Sequence, residues 1–179
     1  MNGKIVAGGI VVISALAGVA MYYLQVYAFY QPVSVNDGFA IRLTPIGAGP
    51  PGASVAEAIV PEAIVIENFQ GIDADSSPLR FRGCFTTPLS LGTLTETYQI
   101  HDAADPLIAP GWFDCFDAKA IGAALKSGEA VAFLSEADIN SKVDPSTGAL
   151  SPSGVDRVVA VFPDGRAYVW HQLNDRLKD

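Results

Sequence analysis

The stretch IVAGGIVVISALAGVAMYYLQVYAFY, residues 5–30, decides the architecture of this chain. It contains no charged side chain and is almost entirely apolar or aromatic. A helix needs about 20 apolar residues to cross the hydrocarbon core of a bilayer, and this stretch is long enough to do so. We therefore expect a transmembrane anchor at residues 1–30, which ends before Pro32 because proline cannot continue a helix.

The charges on either side of this anchor predict its orientation. Lys4 and the amino terminus precede the apolar stretch, whereas the next cation along the chain is Arg42. Because segments rich in lysine and arginine stay in the cytoplasm, we expect a cytoplasmic amino terminus and an exported remainder. Tyrosine and phenylalanine side chains gather at the far end of the stretch, where amphipathic rings settle at the headgroup level.

A cleavable secretory signal is the alternative interpretation of the same residues. Lys4 would be its positive region, residues 5–16 its apolar core, and residues 18–20 a cleavage site of small side chains. The apolar stretch continues well beyond Ala20, which favours an uncleaved anchor. Both interpretations place the remainder of the chain in the same compartment.

Small residues within the anchor predict a packing face. Ser14 and Gly18 are four residues apart and therefore lie on the same side of a helix. Small side chains let membrane helices approach each other closely, so this pair is a candidate contact for a partner helix. The alternative is that alanine and glycine are simply common in membrane helices.

The charge of the chain limits its partners. The formal net charge is −8, and Lys4 is the one charged side chain before residue 37, so the exported part is acidic. An acidic surface repels phosphate backbones, which argues against nucleic acid as a partner. The partners that we expect are the lipid bilayer and a membrane protein or envelope complex.

Two cysteines, Cys84 and Cys115, lie in the part that we expect to be exported. In an oxidising compartment such a pair predicts a disulfide. Free buried thiols are one alternative, and a metal site completed by His101 and His171 is another. The spacing argues against metal, because structural zinc sites usually hold their ligands in close pairs.

Local signals in the rest of the chain predict strands and a helix. Apolar runs at residues 157–162 and 166–170 flank a Pro-Asp-Gly turn and predict a β-hairpin. Asp117 is the expected N-cap of a helix over residues 118–126. Residues 79–85 alternate apolar and charged side chains, which is typical of a half-buried strand. The other candidate strands are residues 39–44, 63–69, 94–100 and 130–134.

These signals together predict an α+β fold. We expect one N-terminal transmembrane helix followed by a small, mainly antiparallel-sheet domain with one or two helices on one side. The expected boundaries are the anchor at residues 1–30, an extracytoplasmic linker with a short strand at 31–60, and a periplasmic α+β domain at 61–179.

The sequence contains no recognisable catalytic motif. Arg80 and Arg82, on one face of a predicted strand, are candidate contacts for an anion or a partner, and pairing with the domain's own acids is the alternative. His101 stands beside Asp102, but no motif for a nucleophile accompanies them. We therefore expect no catalytic residue, no cofactor and no metal.

Four segments carry a resemblance to a known family: MNGKIVAG at residues 1–8, YYLQVYAFY at 22–30, GIDADSSPLRFRGCF at 71–85 and GWFDCFD at 111–117. They resemble an uncharacterised family of single-pass membrane proteins from alphaproteobacteria, some members of which are labelled histidine kinase. The present chain has neither the length nor the ATP-binding motifs of a kinase. The resemblance implies a bacterial inner membrane and a periplasmic domain, and it brings no catalytic residue with it.

The function that we expect is that of a non-catalytic, membrane-anchored accessory or interaction protein, such as a subunit or assembly factor of an envelope complex. A periplasmic sensor or small-ligand-binding domain is the alternative, with a pocket near Arg80, Arg82 and Trp112. A metal-dependent or redox enzyme that uses the cysteines and histidines is a third interpretation.

The predicted orientation can be tested with reporter fusions. Alkaline phosphatase fused after Asp179 is expected to be active in bacteria, because its disulfides form after export. A reporter that works only in the cytosol, fused at the same position, is expected to be inactive. The opposite pattern of activities would contradict the orientation, and a mature protein that begins at Met21 would favour the cleaved signal.

Overall fold

The computed structural model describes residues 2–35, 39–47, 60–139, 141–143, 150–151 and 153–177. Its first element is α1, Gly3–Tyr23, which continues as a π-helix at Leu24–Ala28. Neither part has a residue buried against the rest of the chain. Among the described residues this is the one helix that is long and apolar enough to cross a membrane. Residues 5–28 of the apolar stretch thus form one continuous helix.

The remaining elements form an α+β domain. Its strands are β1 (Gln31–Val33), β2 (Arg42–Leu43), β3 (Glu62–Ala63), β4 (Glu67–Asp73), β5 (Arg82–Thr86), β6 (Val131–Glu136), β7 (Lys142–Val143), β8 (Leu150–Ser151), β9 (Val155–Val161) and β10 (Arg166–Leu173). Its helices in the described residues include α2 (Leu91–Thr97), α3 (Ala118–Ser127) and the 3₁₀ turns Pro78–Arg80 and Asp175–Leu177. Six strands form one antiparallel sheet in the order β1-β4-β5-β10-β9-β6, while β2 pairs with β3 and β7 with β8. The predicted fold class is confirmed.

Both strands of the β9–β10 hairpin lie inside this sheet, between β5 and β6. Its register pairs Ala167 with Val161, and residues 163–165 form the turn between the strands as predicted. Gly165 has a φ of +85°, a conformation that L side chains rarely adopt. A Cβ at this position would also lie 2.8 Å from the carbonyl oxygen of Thr87, so the turn requires glycine for two reasons.

The sheet is covered on both faces. Alternate side chains of a strand point to opposite sides, and neighbouring residues of β9 accordingly belong to different hydrophobic clusters. Val159 packs in a cluster with Leu94 of α2, whereas Val158 packs in a cluster with Ile121 of α3. The expectation that the helices lie on one side of the sheet is therefore wrong. The β9 run of successive valines and alanines is buried on both faces, which alternation alone does not indicate.

The predicted helix after Asp117 is confirmed as α3. The Asp117 carboxylate accepts hydrogen bonds from the backbone N–H groups of Lys119 and Ala120, at 2.9 and 3.1 Å. These bonds satisfy two of the donors that the first turn of a helix leaves without a partner. Gly128 ends the helix in the left-handed conformation.

Residues 94–100, a candidate strand in the sequence, instead begin within α2. Ser90 caps this helix by accepting a hydrogen bond from the backbone N–H of Thr93 at 3.1 Å. The chain leaves the helix at Tyr98, which forms an isolated bridge with Pro45, and Ile100 forms another with Phe133 of β6. The Ile100 bridge, together with the bond from the Thr44 N–H to the Leu134 carbonyl, covers the outer edge of β6.

Two predicted strands are shorter or interrupted. Of residues 39–44, only Arg42 and Leu43 form a strand. Residues 63–69 are divided between β3 and β4, with the break at residues 64–66. At the start of β4 Asn68 has a φ of +53°, and the pairing with β5 shifts register between Glu67 and Gln70.

Residues from the expected linker contribute to the domain. β1 is the edge strand of the main sheet, where Pro32 is tolerated because an edge strand needs fewer ladder donors. Ile41 and Leu43 are fully buried in the same cluster as Phe133. The short strand expected there is β2, and residues 36–38 and 48–59 of the expected linker lie outside the described part of the chain. The boundary at residue 60 stays a prediction.

Candidate functional site

A disulfide joins Cys84 of β5 to Cys115, as the sequence predicts. The two Cα atoms lie 6.2 Å apart, and the bond holds the segment before α3 against the sheet. Phe116, the next residue, is buried and packs edge to face on Trp170 of β10, with ring centroids 6.2 Å apart. The metal alternative for the cysteines finds no support, since the described residues contain no group of three or more potential metal ligands.

The buried side chain of Arg82 also holds the segment before α3 in place. Only 4% of the residue is exposed, although the sequence predicted a half-exposed charged face. Its guanidinium donates to the carbonyl oxygen of Leu107 at 2.8 Å and to that of Ile108 at 3.4 Å. It also donates to the carbonyl oxygens of Leu79 and Phe81. Backbone carbonyls, rather than the domain's acids, are therefore its hydrogen-bond partners in the structure.

Burial also affects the charge of Arg82. Removal of the guanidinium from water lowers the pKa of Arg82 to about 10, against a smaller opposing influence of Tyr30 and Asp73. The side chain therefore stays protonated at neutral pH. A buried cation of this kind is stable only when its donors are satisfied, and the four carbonyl groups serve that purpose.

Trp112, in the segment that the disulfide and Arg82 hold, contacts the end of the apolar helix. Its indole N–H donates to the carbonyl oxygen of Val26 at 2.7 Å. Its ring stacks on Tyr27, with centroids 6.1 Å apart, and meets Tyr30 edge to face at 5.8 Å. The last four carbonyls of a helix have no partner within it, so Trp112 satisfies one of them.

Arg80 contacts the same end of the helix. It donates to the carbonyl oxygen of Gln25 at 3.2 Å and to the Gln25 side-chain oxygen at 3.3 Å. Its guanidinium lies 5.6 Å from the centre of the Tyr30 ring. A cation at the carboxyl end of a helix also interacts favourably with the helix dipole. Arg80 lies in the 3₁₀ turn and Arg82 on β5, so the two do not share a strand face.

We call this contact the helix–domain junction, defined by Gln25, Val26, Tyr27 and Tyr30 on one side and by Arg80 and Trp112 on the other. Four of the predicted site residues, Cys84, Cys115, Arg80 and Arg82, form it or support it. The other two, Ser14 and Gly18, lie within α1, and both are exposed. A Cβ added at Gly18 would meet no atom of the described residues within 4 Å.

A second polar cluster lies between β9, β10 and β6. The His171 ring donates from Nδ1 to the Pro78 carbonyl oxygen at 2.6 Å, and Nε2 accepts from Arg157 Nε at 3.0 Å. Arg157 is also ion-paired with Glu136, and the imidazole stacks on Phe81 at 4.6 Å. Burial, and next the charge of Arg157, lower the pKa of His171 to about 3. The imidazole is therefore neutral at neutral pH, with both nitrogens in hydrogen bonds.

The sequence pattern did not predict this cluster, although one signal pointed to it. The Pro-Asp-Gly turn fixes the hairpin register, and that register places Arg157 directly opposite His171. Cross-strand partners on one face lie close enough for their side chains to interact. Burial of both residues could not be read from the pattern, because polar residues on a terminal hairpin normally face water.

His101 takes part in a third polar network. The Gln172 amide lies 3.1 Å from His101 Nε2 and donates to the Ala103 carbonyl at 3.0 Å. The Gln172 oxygen accepts from the Trp170 indole N–H at 3.0 Å and from the Asp105 backbone N–H at 2.8 Å. Gln172 is 1% exposed, so these bonds satisfy a buried amide and tie residues 101–105 to β10.

A groove of about 730 Å³ lies between α3, residues 100–106 and the start of β6. Lys119 and Lys126 of α3 lie on one side of it, and Asp102 and Asp105 lie among the residues opposite. Gly122 lies between the two lysines on this face of α3. A Cβ added there would lie 3.6 Å from the Pro106 side chain, an ordinary van der Waals contact. The pocket proposed near Arg80, Arg82 and Trp112 is not this groove, whose lining includes none of the three.

The model of a family of unknown function, DUF6446, matches residues 53–179. The chain belongs to this family. The match includes two of the four segments that carried the resemblance, residues 71–85 and 111–117, whereas the two amino-terminal segments lie outside it. No curated protein and no solved structure matches the chain.

The buried His171 is expected to make stability depend on pH. The unfolded chain protonates this histidine below its ordinary pKa of 6.5, whereas the folded chain resists protonation down to about pH 3. Its contribution is therefore complete above pH 6.5 and falls as the pH decreases from 6.5 toward 3. The slope is at most about 1.4 kcal/mol per pH unit.

Urea unfolding of the detergent-solubilised chain at a series of pH values between 5 and 7 measures this slope as the free energy of unfolding. His171→Asn, which keeps a donor near the Pro78 carbonyl, is expected to have a flatter profile. Asp73, whose pKa is raised by burial, acts in the opposite direction in both proteins, so their difference isolates His171. Identical slopes in the two proteins would contradict the prediction.

Proposed function

We propose that this chain is a non-catalytic, single-pass membrane protein whose α+β domain acts as an accessory or interaction module of a larger envelope complex. The observation that carries the proposal is the helix–domain junction. Hydrogen bonds from Trp112 and Arg80 attach the domain directly to the last turn of the helix. A domain attached in this way presents a defined surface at a defined height above the membrane, as an assembly subunit requires.

The use of the polar side chains supports a non-catalytic role. His171 has both ring nitrogens in hydrogen bonds and a pKa of about 3, which lies far from the range of a general base at neutral pH. Arg82 is occupied by four carbonyl groups, and the two cysteines are joined. These groups stabilise the domain and leave no reactive set among the described residues that we can assign to a reaction.

We further propose that the domain lies in the periplasm and that the helix spans the inner membrane of a bacterium, such as an alphaproteobacterium. Two observations support this location. The disulfide needs an oxidising compartment, and the positive charge of Lys4 favours a cytoplasmic amino terminus.

The partner is expected to recognise α1 through its small residues. Ser14→Leu and Gly18→Leu fill the space into which a neighbouring helix would pack, and they are expected to release the chain from its complex. Ala20→Leu is the matched control, because position 20 faces the other side of the helix from Ser14 and Gly18. Positions 14 and 18 of α1 are exposed, so these changes disturb no packing among the residues that the structure describes.

The measurement is blue-native electrophoresis of mildly solubilised membranes, with crosslinking in intact membranes and mass spectrometry to identify the partner. The wild type and Ala20→Leu are expected in a larger complex, and the two face variants are expected as free chain. Migration of the wild type as a monomer without a crosslinked protein would contradict the proposal. Equal loss of the complex in all three variants would contradict the assigned face.

A small-ligand-binding domain is the second candidate, and the groove beside α3 favours it. The groove has lysines on one side and carboxylates opposite, its lining also includes apolar residues such as Val131, and its volume is typical of small-molecule sites. Its ligand would be a small zwitterionic or polar molecule with an apolar part, because the groove offers both positively and negatively charged side chains.

Release of bound small molecules tests this second candidate. The full chain, purified in mild detergent from its native membrane, is denatured, and the released compounds are identified by mass spectrometry. Gly122→Leu, which fills the groove, is expected to lose the compound, whereas Gly122→Ala adds a Cβ that fits and is expected to retain it. Equal amounts from the wild type and Gly122→Leu, or no compound from the wild type, would contradict binding in the groove.

A further inference from the structure

We propose that the domain itself rests on the bilayer through residues 106–113, with Trp112 in the headgroup layer. This inference relies on the proposed membrane anchoring of α1 and goes beyond it, because it assigns the folded domain a lipid-contacting surface of its own. The occupant of that surface is the interfacial layer of the membrane, not a second protein.

The depth of the junction follows from the length of the helix. A hydrocarbon core of about 30 Å is spanned by about 20 helical residues at ~1.5 Å each. When Ile5, the first apolar residue after Lys4, lies at one boundary of the core, Leu24 lies at the other. Gln25 is the first polar residue of the stretch after that point, so Gln25 and Val26 enter the headgroup layer.

Trp112 must share this depth, because it is bonded to the helix there. Its indole N–H lies 2.7 Å from the Val26 carbonyl oxygen, and its ring stacks on Tyr27. Arg80 reaches Gln25, one residue closer to the core. Tryptophan and tyrosine favour the headgroup layer, and an arginine guanidinium at this level meets lipid phosphates.

The segment that carries Trp112 has the composition of a surface that contacts lipid. PLIAPGWF, residues 106–113, has no charged side chain, while Asp105 and Asp114 flank it. Ile108 is 77% exposed and Trp112 is 37% exposed. The net charge of −8 would repel an anionic membrane, so an uncharged segment is the part of the domain that can approach it most easily.

This surface is held in shape before it meets lipid. Arg82 donates to the carbonyl oxygens of Leu107 and Ile108, and the Cys84–Cys115 disulfide secures the end of the segment. Contact with the membrane therefore requires little ordering of the chain, which would otherwise reduce the affinity.

The tryptophans of this chain permit a direct test, because it contains only two, Trp112 and Trp170. The full chain is reconstituted in phosphatidylcholine nanodiscs that contain lipid brominated either near the headgroup end or near the tip of its acyl chains. Bromine quenches tryptophan fluorescence only at short range. Trp170 is fully buried in the domain and serves as the internal reference.

We expect the wild type to lose at least about twice as large a share of its fluorescence as Trp112→Phe, because Trp112 lies at the headgroup level. Bromine near the headgroup end is expected to quench more strongly than bromine near the chain tips. Ile108→Trp, made in the Trp112→Phe background, is expected to restore quenching. This change is at an exposed position and leaves the core intact.

The outcomes separate this inference from the proposed anchoring. Equal quenching of the wild type and Trp112→Phe in a chain that has entered the nanodisc overturns the lipid contact and leaves the anchor in place. A chain that does not enter the nanodisc, and that alkaline carbonate extracts from native membranes, overturns both proposals. Absence of quenching at position 108 overturns the assignment of Ile108 to the contact.

Discussion

The last carbonyl groups of the apolar helix need hydrogen-bond donors, and the domain supplies them. Helix ends leave these groups without partners, and in lipid such groups are costly. The Trp112 indole and the Arg80 guanidinium meet the carbonyls of Val26 and Gln25. The structure behind them keeps these two donors in place, so the disulfide and the buried Arg82 both serve the end of the helix as well as the core of the domain.

The sheet of the domain is covered on both faces. The polar side chains that are buried in it have hydrogen-bond partners. Arg82, His171 and Gln172 are each less than 5% exposed, and each is satisfied by backbone carbonyls or by another side chain. No buried side-chain nitrogen or oxygen atom of the described residues is left without a hydrogen bond. These hydrogen bonds stabilise the polar groups in the interior of the domain.

Local signals in the sequence predicted some elements well. The Pro-Asp-Gly turn determines the β9–β10 hairpin, and Asp117 with Gly128 delimits α3, because these residues act on their immediate neighbours. The alternating run predicted a half-exposed Arg82, and this was wrong because two of its four carbonyl partners come from a segment about 25 residues later. The contact of Trp112 with Val26 spans 86 residues of chain, and no periodicity contains that information.

Only Phe29 and Tyr30 separate the end of the apolar helix from β1, which pairs with β4 along the edge of the main sheet. So short a tether allows little independent swivelling. In the proposed membrane setting, a tilt or rotation that a thinner or thicker bilayer imposes on the helix is therefore transmitted to the sheet, and the far edge at β6 moves through the largest arc.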